Sequence, residues 1–174
     1  MSDAVPRHSS VIEARLAVLG HEIPPPQEIT PGLRLTYRRL VRHGPIVYVA
    51  GHGPTIGTEF GYTGKVGREL TVEEGVKAAE LTALNVLGTL RRELGGLDSV
   101  VTWLKVTGYV NAVPGFTEQA RVVNGFSDLL LELYGPERLA ARTSIGVPDL
   151  PFDMPVEVDA VLVWDDTADM AGSQ

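Results

Sequence analysis

The chain has no cysteine. That excludes disulfides, thiolate catalysis and Cys-ligated zinc, and it fits a cytoplasmic location. Histidine is scarce: His8, His21, His43 and His52 are the only four in 174 residues. No two sit at a ligand spacing such as i, i+4, so no metal site is expected. No apolar run approaches the roughly 18 residues of a membrane span, and Met1–Ser10 is polar, without a signal-peptide pattern. Positive charge is also short. Fifteen Lys and Arg against 22 Asp and Glu leave a net charge of −7. An acidic chain repels a polyphosphate backbone, which disfavours nucleic acid as a partner.

Hydrophobic residues make up 44% of the chain and charged residues 21%. That describes one ordinary folded domain with a real core. Residues 1–8 read as disordered. Ser10 and Glu13 form a capping-box pattern, and Ile12, Leu16 and Leu19 follow at helical spacing, predicting a short helix over 10–19. His21 to Gly32, with Pro24-Pro25-Pro26 and Pro31, reads as an extended connector. Alternation predicts a strand over Leu33–Val41. A turn at His43-Gly44-Pro45 leads to a second strand, Ile46–Gly51, and the two suggest a hairpin. Six glycines between Gly51 and Gly67 read as a mobile loop with a short strand near Lys65. They match neither a dinucleotide fingerprint nor a phosphate loop.

Thr71 and Glu74 make a second capping box. Val76, Ala79, Ala83, Leu87, Leu90 and Leu94 then predict the strongest helix, stopped by Gly95-Gly96. A long strand is expected over Val100–Ala112 and a second long helix from Thr117 to Tyr134. Two more strands follow, Ala141–Val147 and Val156–Trp164, the second alternating strictly. Joined by the proline-bearing connector 148–155, they most simply pair antiparallel. That pairing would bring Arg142 and Glu157 together. The pair reads either as an ordinary cross-strand ion pair or as a site in which an arginine fork grips a carboxylate while a glutamate moves a proton. His52, next to a strand end, reads as a surface or turn histidine ahead of one that enters a pocket, Asn124 as a solvent-facing helix residue ahead of a buried hydrogen-bonding one, and Tyr37 as a core or interface aromatic. Asp165–Gln174 is a polar tail. The order of elements predicts an α+β fold.

The string Ala141-Arg142-Thr143-Ser144-Ile145-Gly146-Val147, then Leu150-Pro151, then Pro155-Val156-Glu157-Val158-Asp159-Ala160-Val161 resembles the signature of the YjgF/RidA family. This is the reactive intermediate deaminase family, also called endoribonuclease L-PSP. Tyr48-Val49-Ala50-Gly51, Tyr62-Thr63-Gly64-Lys65-Val66-Gly67 and Val106-Thr107-Gly108-Tyr109-Val110 resemble further family segments, and Asn124 takes the place of its helix asparagine. The likeness runs from about Leu33 to Trp164. This gives an N-terminal extension over 1–32, a family-like domain over 33–165 and a tail from 166. The resemblance implies a chorismate-mutase-like fold, with a mixed six-stranded sheet, two long helices on one face, and a homotrimer with inter-subunit clefts. It implies a hydrolase that deaminates imine or enamine intermediates of amino-acid metabolism without a cofactor. Arg142 would clamp the substrate carboxylate and Glu157 position water, with Tyr37, Asn124 and Ser144 lining the pocket. Ala50 stands where many members carry serine, Ser144 where cysteine is common, and Leu35-Thr36 where Gly-Pro precedes the family tyrosine. A non-catalytic carboxylate-binding trimer and an endoribonuclease are the alternative functions.

Overall fold

The computed structural model describes residues 10–28 and 34–166. The stretch expected to be disordered, the end of the proline connector and the tail beyond Asp166 lie outside the described residues. The elements run α1 (Val11–Val18), β1 (Leu40–His43), β2 (Ile46–His52), β3 (Thr55–Ile56), β4 (Glu59–Phe60), α2 (Val72–Leu94), β5 (Val100–Asn111), α3 (Gln119–Tyr134), β6 (Ala141–Val147) and β7 (Val156–Trp164). The main sheet has the order β1-β2-β7-β5-β6, and β3 and β4 pair separately. Only β5 and β6 run parallel, with α3 as their crossover, so the sheet is mixed.

Local chemistry explains the long elements. Thr71 and Glu74 close the capping box in both directions at the start of α2, and Gly95 ends the helix at φ 103°. That left-handed conformation carries no penalty for glycine. In β7, Val156, Val158, Ala160, Leu162 and Trp164 are buried beneath the helices, while Glu157, Asp159, Val161 and Val163 face the other way. The core lies between sheet and helices, around Trp103, Trp164 and Phe126. Trp103 meets Phe126 and Tyr134 edge-on, at ring separations of 6.4 and 6.0 Å. The helices cross closely: a Cβ at Gly125 of α3 would lie 2.0 Å from the Val76 carbonyl oxygen of α2. Helix α1 belongs to the same core. Ile12 and Leu16 are buried, and the first amides of α1, from Val11 and Ile12, donate to the Asp98 carboxylate. An anion is favourable at a helix start.

Several expectations are corrected. The main sheet has five strands rather than six: the β3–β4 hairpin stands apart, and the first strand begins at Leu40 rather than Leu33. Arg39 instead donates to the Gln27 side chain and carbonyl. Helix α3 begins at Gln119, two residues after the expected start, and has no side-chain cap. The expected strand near Lys65 reduces to bridges at Val66. The glycine stretch is packed in part, with Gly53 and Gly64 buried and the Gly64 amide bonded to the Asp153 carbonyl, while Gly61 and Gly67 are exposed. Most consequentially, β6 and β7 do not pair, because β5 lies between them. Their connector crosses the end of β5. It turns through Phe152 and Asp153, both at positive φ. The Asn111 amide binds Pro155, and Lys65 Nζ holds Asn111 Oδ1, Asp149 Oδ1 and the Pro148 carbonyl.

Candidate functional site

Strand β6 forms one edge of the sheet. Arg142 lies level with Val106 of β5, and Val106 lies level with Ala160 of β7; both of these are buried on the helix side. The Arg142 side chain accordingly reaches α3. It donates to Ser127 Oγ at 3.0 Å and to the Ala120 carbonyl at 3.1 Å. Ser127 and Ala120 are about two turns apart, and Asn124, exposed, sits between them on the same stripe. Ser144 follows two residues after Arg142 and so shares its face. Arg142, Asn124 and Ser144 thus gather on the helix side of the β6 edge. Arg142 is half-buried, and no carboxylate lies within ion-pair distance among the described residues. Burial pulls its pKa down, against the pull of Asp128, yet a guanidinium keeps its charge at any working pH.

Glu157 is elsewhere. It pairs across from Tyr109 on the open face of the sheet. Asp159, two residues on, accepts a hydrogen bond from the Tyr109 hydroxyl at 3.2 Å. Burial raises the Glu157 pKa, and the charge of Asp159 raises it further. The two carboxylates also raise the Tyr109 pKa, Asp159 foremost. The Glu157 side chain lies over Gly51, where an added Cβ would fall 1.9 Å from Oε1. Gly51 belongs to a bulge in β2, where the pairing with β7 shifts between Val49 and His52.

The sequence reading expected Arg142 and Glu157 to meet, and the fold separates them into two clusters. Arg142 and Glu157 sit two strands and three residues apart, roughly 14 Å between Cα atoms, with side chains on opposite faces. Within one chain they do not meet. Tyr37 is 59% exposed ahead of β1, not a core residue of the chain. His52, read as a surface or turn histidine, is 4% exposed. Its ring nitrogens lie 2.7 Å from the Ala50 carbonyl oxygen and 2.8 Å from Thr89 Oγ1. No local signal announced this: alternation from Val47 and Val49 would turn residue 52 outward, and the bulge between Val49 and His52 is what turns it in. Asp159 and Tyr109 were also missed, although the alternation of β7 already put Asp159 on the face of Glu157.

The comparisons with known proteins bear on this arrangement. A profile of the family described as "YjgF/chorismate mutase-like, putative endoribonuclease" matches residues 13–161. The chain belongs to the YjgF/chorismate-mutase-like family. Protein TCP17 of Trypanosoma cruzi is 38% identical to this YjgF-family chain over 155 residues, covering 88% of it and 94% of that protein. Among solved structures, Atu1372 of Agrobacterium tumefaciens, of unknown function, is 35% identical with a TM-score of 0.81, covering 89% of this chain and 93% of its own. A Shewanella oneidensis protein described as a "putative endoribonuclease" is 26% identical with a TM-score of 0.79, covering 87% and 98%. The α+β fold of this YjgF-family chain is thus shared with both solved structures. No helix among the described residues is long and apolar enough to cross a membrane.

Proposed function

We propose that the chain hydrolyses imine or enamine intermediates of amino-acid metabolism, releasing ammonia, at clefts between copies of the chain in a homotrimer. One observation carries the reading: the half-buried Arg142 guanidinium is held by two neutral oxygens and has no carboxylate counterpart among the described residues. A fork that keeps unspent donors and an uncompensated charge suits a ligand carboxylate. Ser144 and Asn124 flank it. Glu157 has the complementary character, a half-buried carboxyl that no hydrogen bond holds among the described residues and whose pKa is raised. Such a group takes a proton from water and returns it to the departing nitrogen.

One small substrate cannot span 14 Å and both faces of a sheet. The cleft therefore takes Arg142 from one chain and Glu157 from its neighbour. The open face supports such a neighbour, since Val41, Tyr48, Val101, Leu104 and Ile145 are exposed there beside Val161 and Val163. An uncovered apolar sheet face of this kind favours assembly. The same face carries Glu157 and Asp159, which would repel an RNA backbone.

The test is ammonia release from freshly generated 2-imino acids, with Arg142→Ala as the comparison after light scattering has matched the two assemblies. Loss of a charge-assisted carboxylate clamp should lower kcat/KM by about a hundredfold. Absence of turnover from a well-assembled wild type sinks the reading.

A further inference from the structure

We propose that His52 is a positioning residue for Glu157, acting through the Ala50 carbonyl and the β2 bulge. The inference rests on the role given to Glu157 above. A bulge leaves a backbone group of the strand unpaired. Here the Ala50 amide still bonds the Arg39 carbonyl, while the Ala50 carbonyl is taken by the His52 ring two residues on, at 2.7 Å. A carbonyl only accepts, so Nδ1 carries the proton and Nε2 is left as the acceptor. Thr89 of α2 then donates its hydroxyl to Nε2 at 2.8 Å, and its oxygen accepts from Arg92 at 3.3 Å. Arg92, Thr89, His52 and Ala50 form one directed chain from the surface to the bulge.

The ring has no other form available near neutrality. Burial is the largest cause that lowers its pKa to about 4; Arg39 and Arg92 lower it as well, while the Ala50 bond acts against them. The neighbouring side chains lining this cleft, among them Gln27 and Asn85, bring no carboxylate to it. The bulge thus has a fixed, uncharged brace. What the bulge holds is the peptide just before Gly51, the residue on which Glu157 lies. A brace on Ala50 therefore sets the floor beneath the Glu157 carboxyl and keeps it half-buried.

Two substitutions separate the bonds of the ring. In His52→Asn the amide nitrogen reproduces Nδ1 and keeps the Ala50 bond. In His52→Gln the amide reproduces Nε2 and keeps the Thr89 bond. At this buried position Asn loses more packing than Gln, so a merely structural role predicts the larger effect in H52N, an outcome that would overturn the proposal. The readout is the titration of the Glu157 carboxyl by carbon NMR, assigned against E157Q, together with kcat and KM on a 2-imino acid. We expect the Glu157 midpoint to fall toward the ordinary carboxylate range in H52Q and to stay in H52N. We expect kcat to fall about tenfold in H52Q with KM held, as a small misplacement would produce. Equal shifts in both variants, or none in either, overturn the proposal. Should both variants fold poorly, Thr89→Val removes only the Thr89 bond while the ring keeps the Ala50 carbonyl; the Glu157 midpoint should then stay, and a midpoint that falls there overturns the proposal too. The NMR arm needs no turnover, so it decides the inference even if the deaminase reading fails.

Discussion

Gly51→Ala should leave the fold intact and remove most of the activity. The methyl group would sit 1.9 Å from Glu157 Oε1, 2.8 Å from Cδ and 3.2 Å from Cγ. The three nearest atoms all belong to Glu157, and the backbone at Gly51 is not left-handed. The side chain that must give way is the free end of a glutamate with no hydrogen bond to lose among the described residues. The stability cost should stay below about 1 kcal/mol, or about 2–4 °C in Tm for a chain of this size. The carboxylate, however, must move by more than ~1 Å to restore an ordinary contact. A misplacement of that size at a reacting group costs about a hundredfold, or about 2.7 kcal/mol of barrier. The assay is ammonia release from 2-imino acids beside thermal unfolding. A variant with wild-type kcat refutes the placement of Glu157 as the proton carrier, and a variant that unfolds refutes the packing argument.

The same substitution at Gly125 should do the reverse. Its Cβ would meet the Val76 carbonyl oxygen at 2.0 Å, backbone that cannot swing aside. Overpacking of the α2–α3 crossing should cost about 3 kcal/mol and lower Tm by about 10 °C. Glu157 gives a pH signature. Its folded pKa lies above the unfolded value of about 4.3, so the native state binds more protons and loses stability as pH rises through the folded pKa. E157Q lacks this loss. Its Tm relative to wild type should climb as pH rises from about 4 through that window and then level off. A difference that does not change with pH contradicts the raised pKa.

Much of the fold was legible because its signals are local. The Thr71–Glu74 box, the Gly95 stop and the alternation of β7 depend on neighbours in sequence, and each appears as expected. Strand order is not local. Nothing within 141–164 announces that β5 separates the two C-terminal strands, and that insertion alone turns an expected Arg142–Glu157 pair into two clusters on opposite faces. The later start at Gln119 has a smaller cause, an uncapped helix start. The burial of His52 depends on α2 folding over β2, which brings Thr89 to the ring across 37 residues.

The central claim is that each site joins Arg142 of one chain to Glu157 of another. Subunit complementation tests it most directly. Arg142→Ala and Glu157→Gln chains, each inactive alone, are mixed under conditions that exchange subunits. If the site is shared, about a quarter of the interfaces in a random equal mixture pair an intact arginine with an intact glutamate. Ammonia release should return to about a quarter of the wild-type rate by that statistical count. Mixed trimers, verified by mass, that remain as inactive as their parents would contradict the account.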